Sequence, residues 1–151
     1  GTRYLGKVYN DNWMRDHGFL TNSKLATALD IVAARNGQNQ LVTVSADAKI
    51  GEAILTMNKG GIDQVPVVQG EEFVGSLSDG KVLKAMIENP DLKNQAVREI
   101  MDQPFPFVAP NETLEVMSTM IKADRKALMT RDAANRAHII TQSDLLMAMT
   151  N

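Results

Sequence analysis

Two stretches of this chain repeat each other, and a duplicated unit limits the architecture more than any other feature. Residues 73–83, "FVGSLSDGKVL", and 136–146, "RAHIITQSDLL", share an apolar run, a hydroxyl residue, a three-residue step and the apolar start of a helix. Ser78 and Thr141 are equivalent, 141 − 78 = 63 residues apart. Upstream, residues 42–68 pair with 106–130 after a small length adjustment. Each copy therefore reads as a short strand, an amphipathic helix, two further strands and a second helix. The expected fold class is α/β (α+β): two βαββα units related by a pseudo-twofold axis and packed through their small sheets, because neither sheet can be covered by its own copy alone.

Local signals place the elements. Ile50, Ala53, Ile54 and Met57, and likewise Leu114, Met117 and Ile121, recur at helical spacing. Asp47 and Asn111 are the expected helix caps, and Gly60-Gly61 the expected stop of the first helix. "QVPVV" and "KALMT" read as strands, with Pro66 marking an edge or interruption in the first. Gly70 supplies a hairpin turn; the second copy has the longer, polar "RDAANRA". Ahead of the repeats, residues 22–37 read as an amphipathic helix capped by Asn22 or Ser23 and stopped at Gly37. Between the copies, 88–104 reads as a linker with a helical segment from about 95 to 101. The expected domains are a connector over 1–21, a first unit with its leading helix over 22–92, and a second unit with the linker helix over 93–151.

Composition narrows the function classes. The chain has 151 residues, 44% hydrophobic and 23% charged, with net charge −2 and pI near 5.7. No basic face is implied, so nucleic acid is not the expected partner. No apolar run approaches the roughly 20 residues of a membrane-spanning helix. Cysteine is absent, which excludes disulfides and thiolate chemistry and fits a reducing, cytoplasmic compartment. The chain starts Gly1-Thr2-Arg3-Tyr4, without an initiator Met, and is expected to be a piece of a longer protein.

Several chemistries fail on inspection. "GSLSDGKV" has the spacing of a phosphate-binding loop, but Val82 stands where a hydroxyl must hold magnesium and Asp79 puts a negative charge in the cradle. The two histidines, His17 and His138, have no companions at ligand spacing, so no metal site is expected. No Ser-His-acid set suggests itself, so no catalytic residue is expected. The nine methionines include Met117, Met120, Met129, Met147 and Met149 on apolar faces, and read as core filling. "TQSD", residues 141–144, reads two ways. Thr141 and Asp144 form a good helix cap; they also set a hydroxyl and a carboxylate at a strand-to-helix turn, where the acid can accept two hydrogen bonds from a vicinal diol such as ribose. Ile139 and Ile140 could border a flat base. The two roles are compatible.

At these residues the chain resembles a tandem CBS-domain pair, the Bateman module, over residues 22–151. The family's ribose motif is a small residue, two apolar residues, Ser or Thr, two residues and Asp. The second copy matches at Thr141 and Asp144, with His138 in place of the usual Gly; the first matches at Gly75 and Ser78, with Lys81 in place of Asp. The leading "TRYLGKVYNDNWMRDHGFL" (2–20) is similar to the connector between the catalytic core and the CBS pair in cystathionine β-synthases. The resemblance implies a regulatory, non-catalytic module that senses adenosyl ligands for a pyridoxal-phosphate enzyme, the cofactor belonging to the catalytic domain. It implies a cleft built from Gln40, Val42, Val44, Ile62, Asp63, Gln64, Ile139, Thr141 and Asp144. S-adenosylmethionine is the favoured ligand, because Asp63 suits a sulfonium better than a phosphate; for an AMP-type ligand only His138 offers a local basic group. His138 could also crowd the cleft. A weaker second cleft at Ser78 and Lys81 is expected to be empty or to hold an anion loosely. The catalytic domain of the same protein and a second copy, in a homodimer, are the implied partners. The rival expectation is a module that binds nothing and acts in oligomerisation or as an autoinhibitory lid.

Overall fold

The computed structural model describes residues 25–35, 40–123 and 125–150. The expected connector over 2–20, with His17, and the caps Asn22, Ser23 and Gly37 lie outside them. In chain order the elements are α1 (Ala28–Ala34), β1 (Val44–Ser45), α2 (Ile50–Gly60), β2 (Gln64–Gln69), β3 (Glu72–Ser78), α3 (Asp79–Glu88), α4 (Leu114–Met120), β4 (Ala127–Arg131), β5 (Ala137–Thr141) and α5 (Gln142–Thr150), with 3-10 turns at Pro90–Asn94 and Val97–Glu99. They form a mixed α and β fold with two small sheets. The chain divides into two compact units, one of residues 41–106 and one that joins 107–151 to the segment before residue 41.

In the 41–106 unit the sheet order is β1-β2-β3. β1 runs parallel to β2 through Val44 and Ser45 only, opposite Val67 and Val68. β2 is the central strand, but Pro66 lies just outside its short ladder with β1, where a missing N–H is tolerated. β2 and β3 form an antiparallel hairpin turned at Gly70, whose φ of 63° is left-handed. α2 buries Ile50, Ala53 and Met57, the residues its period picks out, and ends at a left-handed Gly61. These side chains share a core with Val44, Val65, Val67, Leu77, Val82 and Val97.

The other unit repeats the plan with less regular structure. β4 and β5 pair antiparallel, Leu128 opposite Ile140 and Ala127 opposite Thr141. The first strand of this copy shrinks to a single parallel bridge, Phe107 to Met129, held also by the buried Thr130 hydroxyl, which donates to the Val108 carbonyl at 2.9 Å. α4 contributes Leu114 and Met117, and α5 contributes Leu145, to a core with Leu128 and Ile140.

Three local expectations need correction. α2 and α4 each start two residues later than expected: Lys49 occupies the N-cap of α2 and Thr113 that of α4, its hydroxyl accepting from Val116. Asp47 is instead ion-paired with Arg98. The linker forms 3-10 turns rather than a helix over 95–101, because its N–H groups go elsewhere: Val97 donates to Ala48 O and Arg98 to Ala46 O. The leading helix is shorter at its start than expected, with Thr27 and Asp30 forming a reciprocal capping box.

Chain order groups α1 with the first copy and the linker with the second. Hydrogen bonds assign them the other way. Ala28 N–H donates to Glu112 O, and Leu114 N–H to Ala26 O, so α1 belongs with the second copy, where Ala28 and Ile31 join its core. Likewise Ile50 N–H donates to Gln95 O, and the linker's Val97 is fully buried in the core of the first copy. The segment leading into each copy thus completes the other one.

Candidate functional site

The Thr141–Asp144 turn forms where β5 runs directly into α5. The Thr141 hydroxyl accepts from the Asp144 N–H at 3.3 Å, and Asp144 Oδ2 accepts from the Thr141 N–H at 2.8 Å. That is a capping box, with the acid at the third helical position, so the capping role is real. Asp144 Oδ2 also accepts from the Thr141 hydroxyl at 3.1 Å and from Arg35 Nη1 at 3.2 Å. Asp144 Oδ1 receives no hydrogen bond among the described residues.

Arg35 is the residue that the sequence did not point to. It is the C-cap of α1, 109 positions from Asp144, and its Nη1 donates to the Ile139 carbonyl at 2.8 Å as well. The two side chains of the pair are 10% and 13% exposed. The cation beside this turn is therefore Arg35 rather than His138. No periodicity or motif could pair these residues; the only signal was that α1 ends in a basic residue.

His138 does not crowd Thr141. Side chains alternate along a strand, so His138 and Ile140 share one face of the sheet with Thr130 and Leu128, while Ile139 and Thr141 share the other. The imidazole reaches back to the hairpin, where Nε2 lies 2.8 Å from Asp132 Oδ2. Asp132 organises that turn: it accepts from the backbone N–H groups of Ala134 and Arg136 and from Arg136 Nε. The His138 hydrogen bond, then the backbone N–H of Arg136, hold the Asp132 carboxyl well below the usual carboxylate range, against the opposing effect of partial burial.

The first copy's turn has the same backbone with inverted charge. Ser78 caps α3 by accepting from Lys81 N–H at 3.2 Å, and Lys81 Nζ pairs with Asp102 Oδ1 at 2.9 Å, the side chains 41% and 52% exposed. β3 passes into α3 with no intervening loop, which disposes of the phosphate-loop spacing. Gly75 has a packing role instead: a Cβ there would sit 2.9 Å from the Asp102 carbonyl oxygen.

The remaining expected site residues fall in the 41–106 unit or at its edge. Gln64 stands opposite Ser78 in register, and the Asp63 carbonyl accepts from Asp79 N–H at 2.9 Å, so 62–64 border the Ser78 turn of their own unit. Gln40 and Asp63 are exposed. Val42 and Ile62 are half-buried against the core. Val44, at 6% exposure, is a core residue, because β1 turns that side chain inward.

Comparison with known proteins agrees with this fold. Residues 37–88 match the family model of the CBS domain. A CBS-domain-containing protein from Agrobacterium tumefaciens superposes with a TM-score of 0.69, at 23% identity over 82% of this chain and 94% of that one. The CBS-domain pair of protein MJ0100, solved in complex with 5′-methylthioadenosine and S-adenosyl-L-methionine, gives 0.65, at 21% identity over 83% and 97%. CBSX2 in complex with AMP gives 0.61, at 20% identity over 75% and 90%. The chain has the fold of CBS-domain pairs. Among curated proteins it is similar to cystathionine beta-synthase of Dictyostelium discoideum, 24% identical over 95% of this chain. It spans 31% of that relative's length, and 24% of the rabbit (Oryctolagus cuniculus) cystathionine beta-synthase it also matches.

Proposed function

We propose that this chain is the adenosyl-ligand-sensing regulatory module of a cystathionine β-synthase-like pyridoxal-phosphate enzyme, with S-adenosylmethionine as its ligand and the ribose held at Thr141 and Asp144. The observation that carries the reading is the half-used carboxylate of Asp144. Three donors fix Oδ2, while Oδ1 keeps its lone pairs for a diol. The similarity to cystathionine β-synthases over nearly the whole chain supports the parent enzyme. The solved neighbour holding S-adenosyl-L-methionine supports the ligand class. A second reading, an AMP-type ligand, is favoured by the neighbour solved with AMP. In either case binding would bias a catalytic domain in the same polypeptide, a coupling typically worth about 1–3 kcal/mol.

Isothermal calorimetry of the chain with S-adenosylmethionine, AMP and ATP tests this. Saturable binding of S-adenosylmethionine, weakened about 10- to 150-fold in Asp144→Ala, is the expected result. Binding of AMP alone would transfer the assignment to the second reading. No heat or thermal shift with any of the three would leave a module for oligomerisation or autoinhibition.

A further inference from the structure

We propose that Arg35 is itself a ligand-contacting residue of the Thr141–Asp144 subsite, donating to one hydroxyl oxygen of a vicinal diol while Asp144 accepts from the neighbouring hydroxyl. This rests on the function proposed above and adds a residue from α1 to it.

A guanidinium carries five N–H donors in a planar fork, and it usually closes on a carboxylate with two parallel bonds. The Arg35–Asp144 pair does not close that way. Among the described residues Nη1 alone is engaged, shared between Ile139 O and Asp144 Oδ2. Nε and Nη2 have no acceptor among the described residues, although the side chain is only 10% exposed. On the partner, all three donors crowd Oδ2 and leave Oδ1 open. Donors left without acceptors in so buried a place are costly unless something supplies the missing oxygen. An open donor edge and an open acceptor oxygen on one ion pair match the chemistry of adjacent hydroxyls, since each hydroxyl both donates and accepts. The first copy supplies a contrast: Lys81 and Asp102 are about half solvated, so water satisfies whatever they leave unpaired.

The sign of the Arg35 effect decides the matter. Calorimetric titration of AMP, its 2′-deoxy and 3′-deoxy analogues, and S-adenosylmethionine is carried out on the wild-type chain, Arg35→Gln and Arg35→Lys, with urea midpoints to establish folding. Arg35→Gln is expected to weaken a diol-bearing ligand about 10-fold or more, with Arg35→Lys intermediate. One of the two deoxy analogues should bind wild type and Arg35→Gln equally, because the hydroxyl that Arg35 reads is gone. Affinity unchanged in a folded Arg35→Gln would make Arg35 a structural partner only; affinity increased would make it a competitor for Asp144. Either result overturns this inference and leaves the proposed function standing. Wild type that binds none of the probes overturns both. Should Arg35→Gln not fold, the comparison of Arg35→Lys with wild type across the deoxy analogues carries the same test.

Discussion

Lys81 and Asp144 hold the same position in two copies of one repeat, 144 − 81 = 63 residues apart, with opposite charge. Each pairs with an opposite charge from the segment that leads into the other copy, Lys81 with Asp102 and Asp144 with Arg35. The inversion keeps both turns tied to their leaders. Burial makes the two ties energetically different.

Asp144→Ala should destabilise the chain by about 3 kcal/mol, since it leaves the Arg35 charge nearly buried without its partner. Urea denaturation would measure the loss. Adding Arg35→Gln should recover part of it, so the double mutant is expected to be more stable than Asp144→Ala alone.

Lys81→Ala should cost less than about 1 kcal/mol by the same measurement, because both partners of that pair are substantially exposed. A cost equal to that of Asp144→Ala would contradict the burial argument.

Gly75→Ala should destabilise by about 1–3 kcal/mol. The new methyl would lie 2.5 Å from Met101 Sδ and 2.9 Å from Asp102 O. The Met101 side chain can turn aside, but the backbone oxygen accepts from Ser76 N–H and cannot move without breaking that bond. Thermal unfolding of the variant would show a lowered midpoint with the fold retained by circular dichroism.

Asp132 predicts an acid limb to stability. Its folded-state pKa lies below the ordinary 3.8, so the carboxylate's contribution is fully present above that value. It is lost as pH falls toward the depressed folded value, where the carboxylate protonates and releases His138 and Arg136. Urea midpoints of wild type and Asp132→Asn should differ most at pH 7 and converge below about pH 4. A difference independent of pH would refute the assignment.

Much of this molecule was legible because its signals are local. Ile50, Ala53 and Met57 announced α2 by spacing, Gly61 and Gly70 announced their turns, and Thr141 and Asp144 announced a cap that is there. Cap positions at Asp47 and Asn111 were misplaced because an Asp or Asn beside a helix is also a good turn residue; Asp47 serves Arg98 instead. The motif, read in one dimension, could not show on which face of its strand His138 lies. Its face of β5 became clear once the register set it opposite Thr130.

By itself the sequence determined the duplication, the order of elements in each copy and the capped turns at Ser78 and Thr141. Periodicity, turn residues and caps act across three or four residues, and no other part of the chain is needed to read them. Only the tertiary structure decided which leader completes which copy, and so which cation meets Asp144. Those choices depend on backbone hydrogen bonds such as Ala28 to Glu112 and on a side-chain pair 109 residues apart. Such pairings are selected by the burial of Ala28, Ile31 and Val97 in cores assembled from distant segments, which leaves no periodic trace along the chain.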